Sequence, residues 1–252
     1  MVYPNQYPTS NGRGYPMNNL NDYPTDLERS EIAEGHADFA HPMYQAIGLT
    51  DYGHTMPRDT PEQVQHHIDR ILYHRGIPYR VDEKFRSRQL TDMLFEVDGW
   101  LKLILQDKFS ADLVVSVGYP MGGTVVVLRS KEIREQLTAY DNDTGERLLD
   151  IWLRKAGSSD NNGFHLKTAR SGTRCLIVTL AEIRRVFGDK AVRSYTPAPE
   201  LVRRGNLGLS TYAQLKSTGL PRNEIMRLTE LVRDGRLNSE QDQTMQPETV
   251  TL

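Results

Sequence analysis

The sequence predicts an α+β protein, an antiparallel sheet with helices packed on it. Three observations carry that prediction. Short β-branched runs recur between Asp112 and Gly188 with turn signals between them. The last run passes into an amphipathic stretch, Leu180 to Phe187, which Gly188 closes. Two earlier apolar stretches, between Thr60 and Val97, have helical spacing.

Taken in order, residues 1–58 read as a disordered leader. Tyr-Pro recurs at Tyr3-Pro4, Tyr7-Pro8, Tyr15-Pro16 and Tyr23-Pro24, set among Asn, Gly, Ser and Thr. Proline at that density opposes helix, and little apolar matter is available to offset the ordering entropy. A folded domain is expected over 59–195. Thr60-Pro61-Glu62-Gln63 gives an N-cap, a proline at N1 and a capping-box glutamine. Val64, Ile68, Ile71 and Leu72 then form one stripe ending at Gly76; Leu90, Met93, Leu94 and Val97 form a second ending at Gly99. Trp100 to Leu105 fits either a strand or a helical extension, with strand preferred. Asp112–Tyr119 and Thr124–Leu128 are strands joined by the hairpin loop Pro120-Met121-Gly122-Gly123. Leu148–Leu153, Phe164–Thr168 and Cys175–Thr179 are further strands. Thr179 and Glu182 have capping-box spacing at the start of the following helix. Residues 196–238 read as a linker, Thr196-Pro197-Ala198-Pro199-Glu200, and two short helices, Thr211–Lys216 and Pro221–Arg233. Residues 239–252 read as a flexible tail.

The chain has 252 residues and a net charge of −2, but the charge is unevenly spread. Residues 1–65 carry 3 basic and 9 acidic side chains, net −6, whereas 151–205 carry 11 basic and 4 acidic, net +7. A basic stretch in a near-neutral protein suits a polyanionic partner. The single Cys175 excludes an internal disulfide and suits a reducing compartment. No apolar run is long enough to span a membrane, so a cytoplasmic protein is expected.

Signals for chemistry are few. Gly118-Tyr119-Pro120-Met121-Gly122-Gly123 joins two strands and lacks the Gly-Lys-Ser/Thr of a phosphate cradle. His66, His67 and His74 fall on one predicted helix with Asp69, where a polar face is preferred over a metal site. Asp141, Asp143 and Glu146 make too short an acidic frame for calcium. Paired-Cys zinc spacing, a nucleophile elbow and a dinucleotide fingerprint are all missing. The expectation is therefore a binding protein, not an enzyme, with no cofactor and no metal.

For nucleic acid the pattern is better. With Leu149, Ile151 and Leu153 facing the core, Trp152 and Arg154 face outward. Lys155, His165, Lys167, Arg170 and Arg174 would join them on one sheet face, an aromatic with cations as in single-strand binders. The stretch Gly163-Phe164-His165-Leu166-Lys167, followed by Thr173-Arg174-Cys175-Leu176-Ile177-Val178-Thr179 and Leu180–Phe187, resembles the closing unit of the Whirly and PUR-like single-stranded nucleic-acid-binding families. The Lys-Gly-Lys motif of plant Whirly proteins is absent. The resemblance implies that 59–195 is a nucleic-acid-binding domain with a curved antiparallel sheet, and that it binds single-stranded RNA or DNA, RNA slightly favoured, with low sequence specificity and self-association; family members in large bacteriophages bind RNA. Three rival readings stand beside it. One is a viral structural or adaptor protein. Another is a helix-turn-helix regulator using Tyr212–Lys216 and Pro221–Arg227. The third is a metal hydrolase using His66, His67 and Asp69.

Overall fold

The computed structural model describes residues 26–49, 51–56, 60–86, 89–158, 163–169 and 172–236. At its centre, strand β5 (Leu113–Gly118) is buried along its whole length. Leu113, Val115 and Val117 face one core while Val114 faces another. A strand covered on both sides needs apolar residues at every position, which is why this run does not alternate.

The class is α+β, as expected. A six-stranded sheet runs β1 (Asp51–Thr55), β2 (Arg70–His74), β3 (Ile77–Arg86), β5, β6 (Gly123–Arg129), β9 (Val192–Tyr195). It is mixed and not wholly antiparallel: β3 and β5 are parallel, and the other neighbours antiparallel. Parallel neighbours need a crossover. Here it contains β4 (Asp92–Glu96) and helix α4 (Trp100–Leu105). β4 belongs to a second, antiparallel sheet, β4-β8-β7, with β7 at Phe164–Thr168 and β8 at Arg174–Thr179.

One face of the large sheet packs on α1 (Asp26–Glu34), α2 (Ala37–Ala46), α8 (Pro199–Lys216) and α9 (Arg222–Arg233). The other packs on α4, α5 (Ser130–Thr138), α6 (Leu148–Ala156), α7 (Leu180–Phe187) and the second sheet. Gly205 lets α8 come close: a Cβ there would lie 2.4 Å from Pro120.

Several elements differ from the sequence reading. Residues 26–49 and 51–55 are folded, so the leader ends earlier than 58; Ile32, Phe39, Met43, Tyr44 and Ile47 are core. Residues 1–25, with the Tyr-Pro repeats, lie outside the described residues, as does 239–252. The first predicted helix is short, α3 (Pro61–Val64), and its continuation is β2. The second stripe is β4, with Met93 and Phe95 buried on alternate positions. Trp100–Leu105 and Leu148–Leu153 are helical, because burying Trp100, Leu101 and Ile104, and Leu149 with Trp152, needs spacings of three and four. α8 begins at Pro199, inside the predicted linker, and runs on through the predicted Thr211–Lys216 helix. Thr179 makes no side-chain cap bond; Glu182 instead accepts from the Trp152 indole at 2.8 Å and from Arg185.

The two ends of the described chain clamp each other. Arg233 of α9, 2 % exposed, donates to the carbonyls of Ile32 and Gly35 at 2.8 and 2.9 Å. These are acceptors left over at the end of α1. Arg204 bridges Asp38 and Asp234. His36, buried beside them, meets the Tyr119 hydroxyl through Nδ1 at 2.9 Å. Burial, then Arg233 and Arg204, lower its pKa to about 4. A histidine neutral in the fold and titrating near 6.5 when unfolded stabilises the fold fully above pH 6.5 and loses that contribution as pH falls towards 4. The shift corresponds to about 3 kcal/mol at most. Urea midpoints at pH 7 and pH 5 should differ for wild type, and the difference should shrink in His36→Gln. An unchanged difference would place the pH dependence elsewhere.

Candidate active site

The sequence of β3 places charge in the middle of a central strand: Val81-Asp82-Glu83-Lys84-Phe85. Alternation sends Val81, Glu83 and Phe85 to the first core and Asp82 and Lys84 to the other face. Glu83 is satisfied there: Arg70 donates to it at 2.8 Å and the Tyr44 hydroxyl bonds the same oxygen. Both Arg70 and Glu83 are buried.

On the opposite face Lys84 Nζ lies 2.9 Å from Asp82 Oδ1. Asp82 is 2 % exposed and its Oδ2 is buried without a hydrogen-bond partner. Asp69 stands just before β2. Its backbone N–H donates to the Val81 carbonyl at 2.8 Å, and its Oδ2 accepts from the Glu83 N–H at 2.6 Å. The β2–β3 hairpin therefore brings Asp69, Asp82 and Lys84 together. Glu96, at the end of β4 on the second sheet, is close enough to act on the charges of Asp82 and Lys84. So is His67, which holds an unusual positive φ of 53° and packs its ring 5.5 Å from that of Phe109.

The electrostatics are unbalanced. Lys84 pairs directly with Asp82 alone, and the charges of Asp69 and Glu96 act on the same ammonium, in a place where unpaired charge is costly. Burial, then the Asp82 charge, push the Asp69 carboxyl up to about 7. Burial also raises Asp82. Burial alone would lower Lys84, but Asp82, Asp69 and Glu96 outweigh it and raise its pKa, so it stays an ammonium. Its side chain is 27 % exposed, so the centre opens to solvent at Lys84. Perturbed carboxylates around a lysine are the arrangement expected of a chemical centre. Among the described residues no three His, Cys, Asp or Glu side chains form a metal cage by themselves. Two carboxylates are enough for an ion such as Mg²⁺, which keeps several waters and completes its shell with substrate.

The residues expected to bind nucleic acid fare differently. Trp152 is on α6, fully buried between Phe95 and Phe164, not on a sheet face. Arg154 is on the same helix and pairs with Glu146 at 2.8 Å. Lys155 stands 5.3 Å over the Phe164 ring. Arg174 is bound through two nitrogens by Asp98, at 2.7 and 2.8 Å. Arg170 lies outside the described residues. Only His165 and Lys167 share an exposed strand face, on β7. Of the metal-hydrolase candidates, Asp69 is in the centre and His67 beside it, while the exposed His66 bonds Ser110 at 3.2 Å and His74 lies at the far end of β2. Asp82 and Lys84 were missed. Their signal is three successive charges between Val81 and Phe85, thirteen positions after Asp69. Comparison with family models, curated proteins and solved structures found no match for this chain.

Proposed function

We propose that the protein is a divalent-cation-dependent hydrolase of phosphodiester bonds, with Asp69, Asp82 and Lys84 as its centre. The observation that carries this reading is the charge imbalance: carboxylates outnumber the single ammonium, and Asp82 Oδ2 is buried with no partner. Without a cation, Asp69 meets the deficit by holding a proton near neutral pH. Asp69 and Asp82 would hold the cation, which when bound offsets charge on a phosphoryl oxygen and acidifies water. Lys84, kept as an ammonium, donates to a second phosphoryl oxygen where negative charge grows. In the reaction a water oxygen bonds to phosphorus and the ester P–O bond breaks. The water's proton leaves to solvent, and the departing oxygen takes one from solvent. The basic balance of residues 151–205 favours a polyanionic substrate over a neutral ester.

A second reading is passive binding of single-stranded nucleic acid, RNA or DNA. The exposed His165 and Lys167 favour it. Turnover of bis(4-nitrophenyl) phosphate with Mg²⁺ or Mn²⁺ separates the two. Asp82→Asn and Lys84→Ala should each lower kcat by about 10²–10³, the range for losing one transition-state donor. Asp69→Asn should be equally inactive, yet melt at least as high as wild type at pH 8 without cations. An acid whose pKa is raised in the fold costs stability as pH climbs from 3.8 to about 7, and asparagine removes that cost while keeping the acceptor for the Glu83 N–H. Absence of cation-dependent turnover, or variants as active as wild type, would leave passive binding as the better account.

A further inference from the structure

We propose that strand β7 is the guide that leads a nucleic-acid strand into this centre, with Lys167 and His165 as its phosphate contacts; this rests on the hydrolase reading. The register of the second sheet makes the connection. Lys167 pairs with Cys175 on β8, and Cys175 pairs with Glu96 on β4, so the three form one row across the sheet. His165, Ile177 and Leu94 form the next row on the same face. Glu96 ends its row near enough to Asp82 and Lys84 for its charge to act on theirs. Neighbouring strands lie about 4.8 Å apart, so Lys167 stands roughly 10 Å across the sheet from Glu96. One strand of a nucleic acid in helical form carries a phosphate per ~3.4 Å of axis, so that span covers about three nucleotides.

Two further observations fit a guide. His165, Leu166, Lys167 and Thr168 are all exposed, so both faces of β7 beyond the buried Phe164 meet solvent. A strand exposed in this way contributes little to the core, and its side chains stand at the surface. Charge supplies the second. A centre with three carboxylates repels a polyanion unless a cation meets it on the way in, and β7 carries Lys167 on the face that Glu96 shares, with His165 one row away as a hydrogen-bonding group. A small diester carries a single negative charge and needs less such help. The guide therefore sets the preference for a polymer over a small diester.

The test compares a single-stranded oligonucleotide with bis(4-nitrophenyl) phosphate, on wild type and on the double variant His165→Ala with Lys167→Ala. The ratio of kcat/KM for the oligonucleotide to that for the small diester should fall about tenfold, mainly through KM. The salt dependence of oligonucleotide binding should weaken by roughly 0.7 in log–log slope for each phosphate no longer neutralised. An unchanged ratio and slope would overturn the guide. Wild type that turns over the small diester but shows no preference for the oligonucleotide would also overturn it, while leaving the centre standing. Wild type inactive on both substrates would remove the centre and the guide together.

Discussion

Trp152→Ala should unfold at markedly lower urea than wild type, with a loss of about 3–5 kcal/mol, the range for truncating a large buried aromatic. The indole is fully buried in the second core, its ring centroid 5.8 Å from Phe95 and 6.0 Å from Phe164. Its N–H donates to Glu182, the residue that also holds Arg185. Truncation leaves a cavity between α6 and the second sheet and takes one donor from a half-buried carboxylate. Trp152→Phe should cost less, because the ring volume is partly kept and one hydrogen bond of about 1 kcal/mol is lost. A Trp152→Ala protein as stable as wild type would put this residue on the surface and revive it as a base-stacking platform.

Deleting residues 1–58 should abolish folding outright. The cut removes Ile32, Ala33, Phe39, Ala40, Met43, Tyr44 and Ile47, all buried in the first core. At about 1.5–3 kcal/mol for each of the larger side chains, the loss is comparable with the ~5–15 kcal/mol that holds a domain together. It also takes the Ile32 and Gly35 carbonyl acceptors from Arg233 and the Tyr44 hydroxyl from Glu83, buried hydrogen bonds worth about 1 kcal/mol each. Circular dichroism and a melting curve decide the matter. A truncated protein with wild-type helix content and a cooperative melt near the wild-type temperature would mean that α1 and α2 are dispensable.

Much of the scaffold was legible where local pattern and tertiary demand agree. The β5–β6 hairpin, the β7–β8 pair, α7 with its Gly188 stop (φ 80°) and α9 follow from β-branched runs, glycine stops and helical spacing. Errors cluster where a short apolar stretch satisfies two periods at once. Leu148–Leu153 alternates well enough for a strand, yet the partner it packs on accepts Leu149 and Trp152, three apart. The N-terminal helices are hidden by composition, because the apolar pattern at Phe39, Met43 and Ile47 is short and follows on the Tyr-Pro tract of residues 1–25. The centre was half legible. Asp69 drew attention beside two histidines, but Asp82 and Lys84 look like a solvated charge run until β3 is known to be a central strand. Their proximity to Asp69 depends on hairpin register, and their proximity to Glu96 on how two sheets meet; neither is a local property of the chain.

The most direct measurement is the melting temperature at pH 8 as Mn²⁺ is titrated in, on wild type and on Asp82→Asn. A cation held between Asp69 and Asp82 binds the folded protein only, so at a hundred times its dissociation constant it should stabilise wild type by about 2.7 kcal/mol. The account predicts a saturable rise in melting temperature for wild type that EDTA reverses and that Asp82→Asn does not show. No rise in wild type, or the same rise in both proteins, would contradict a cation-binding centre at Asp69, Asp82 and Lys84.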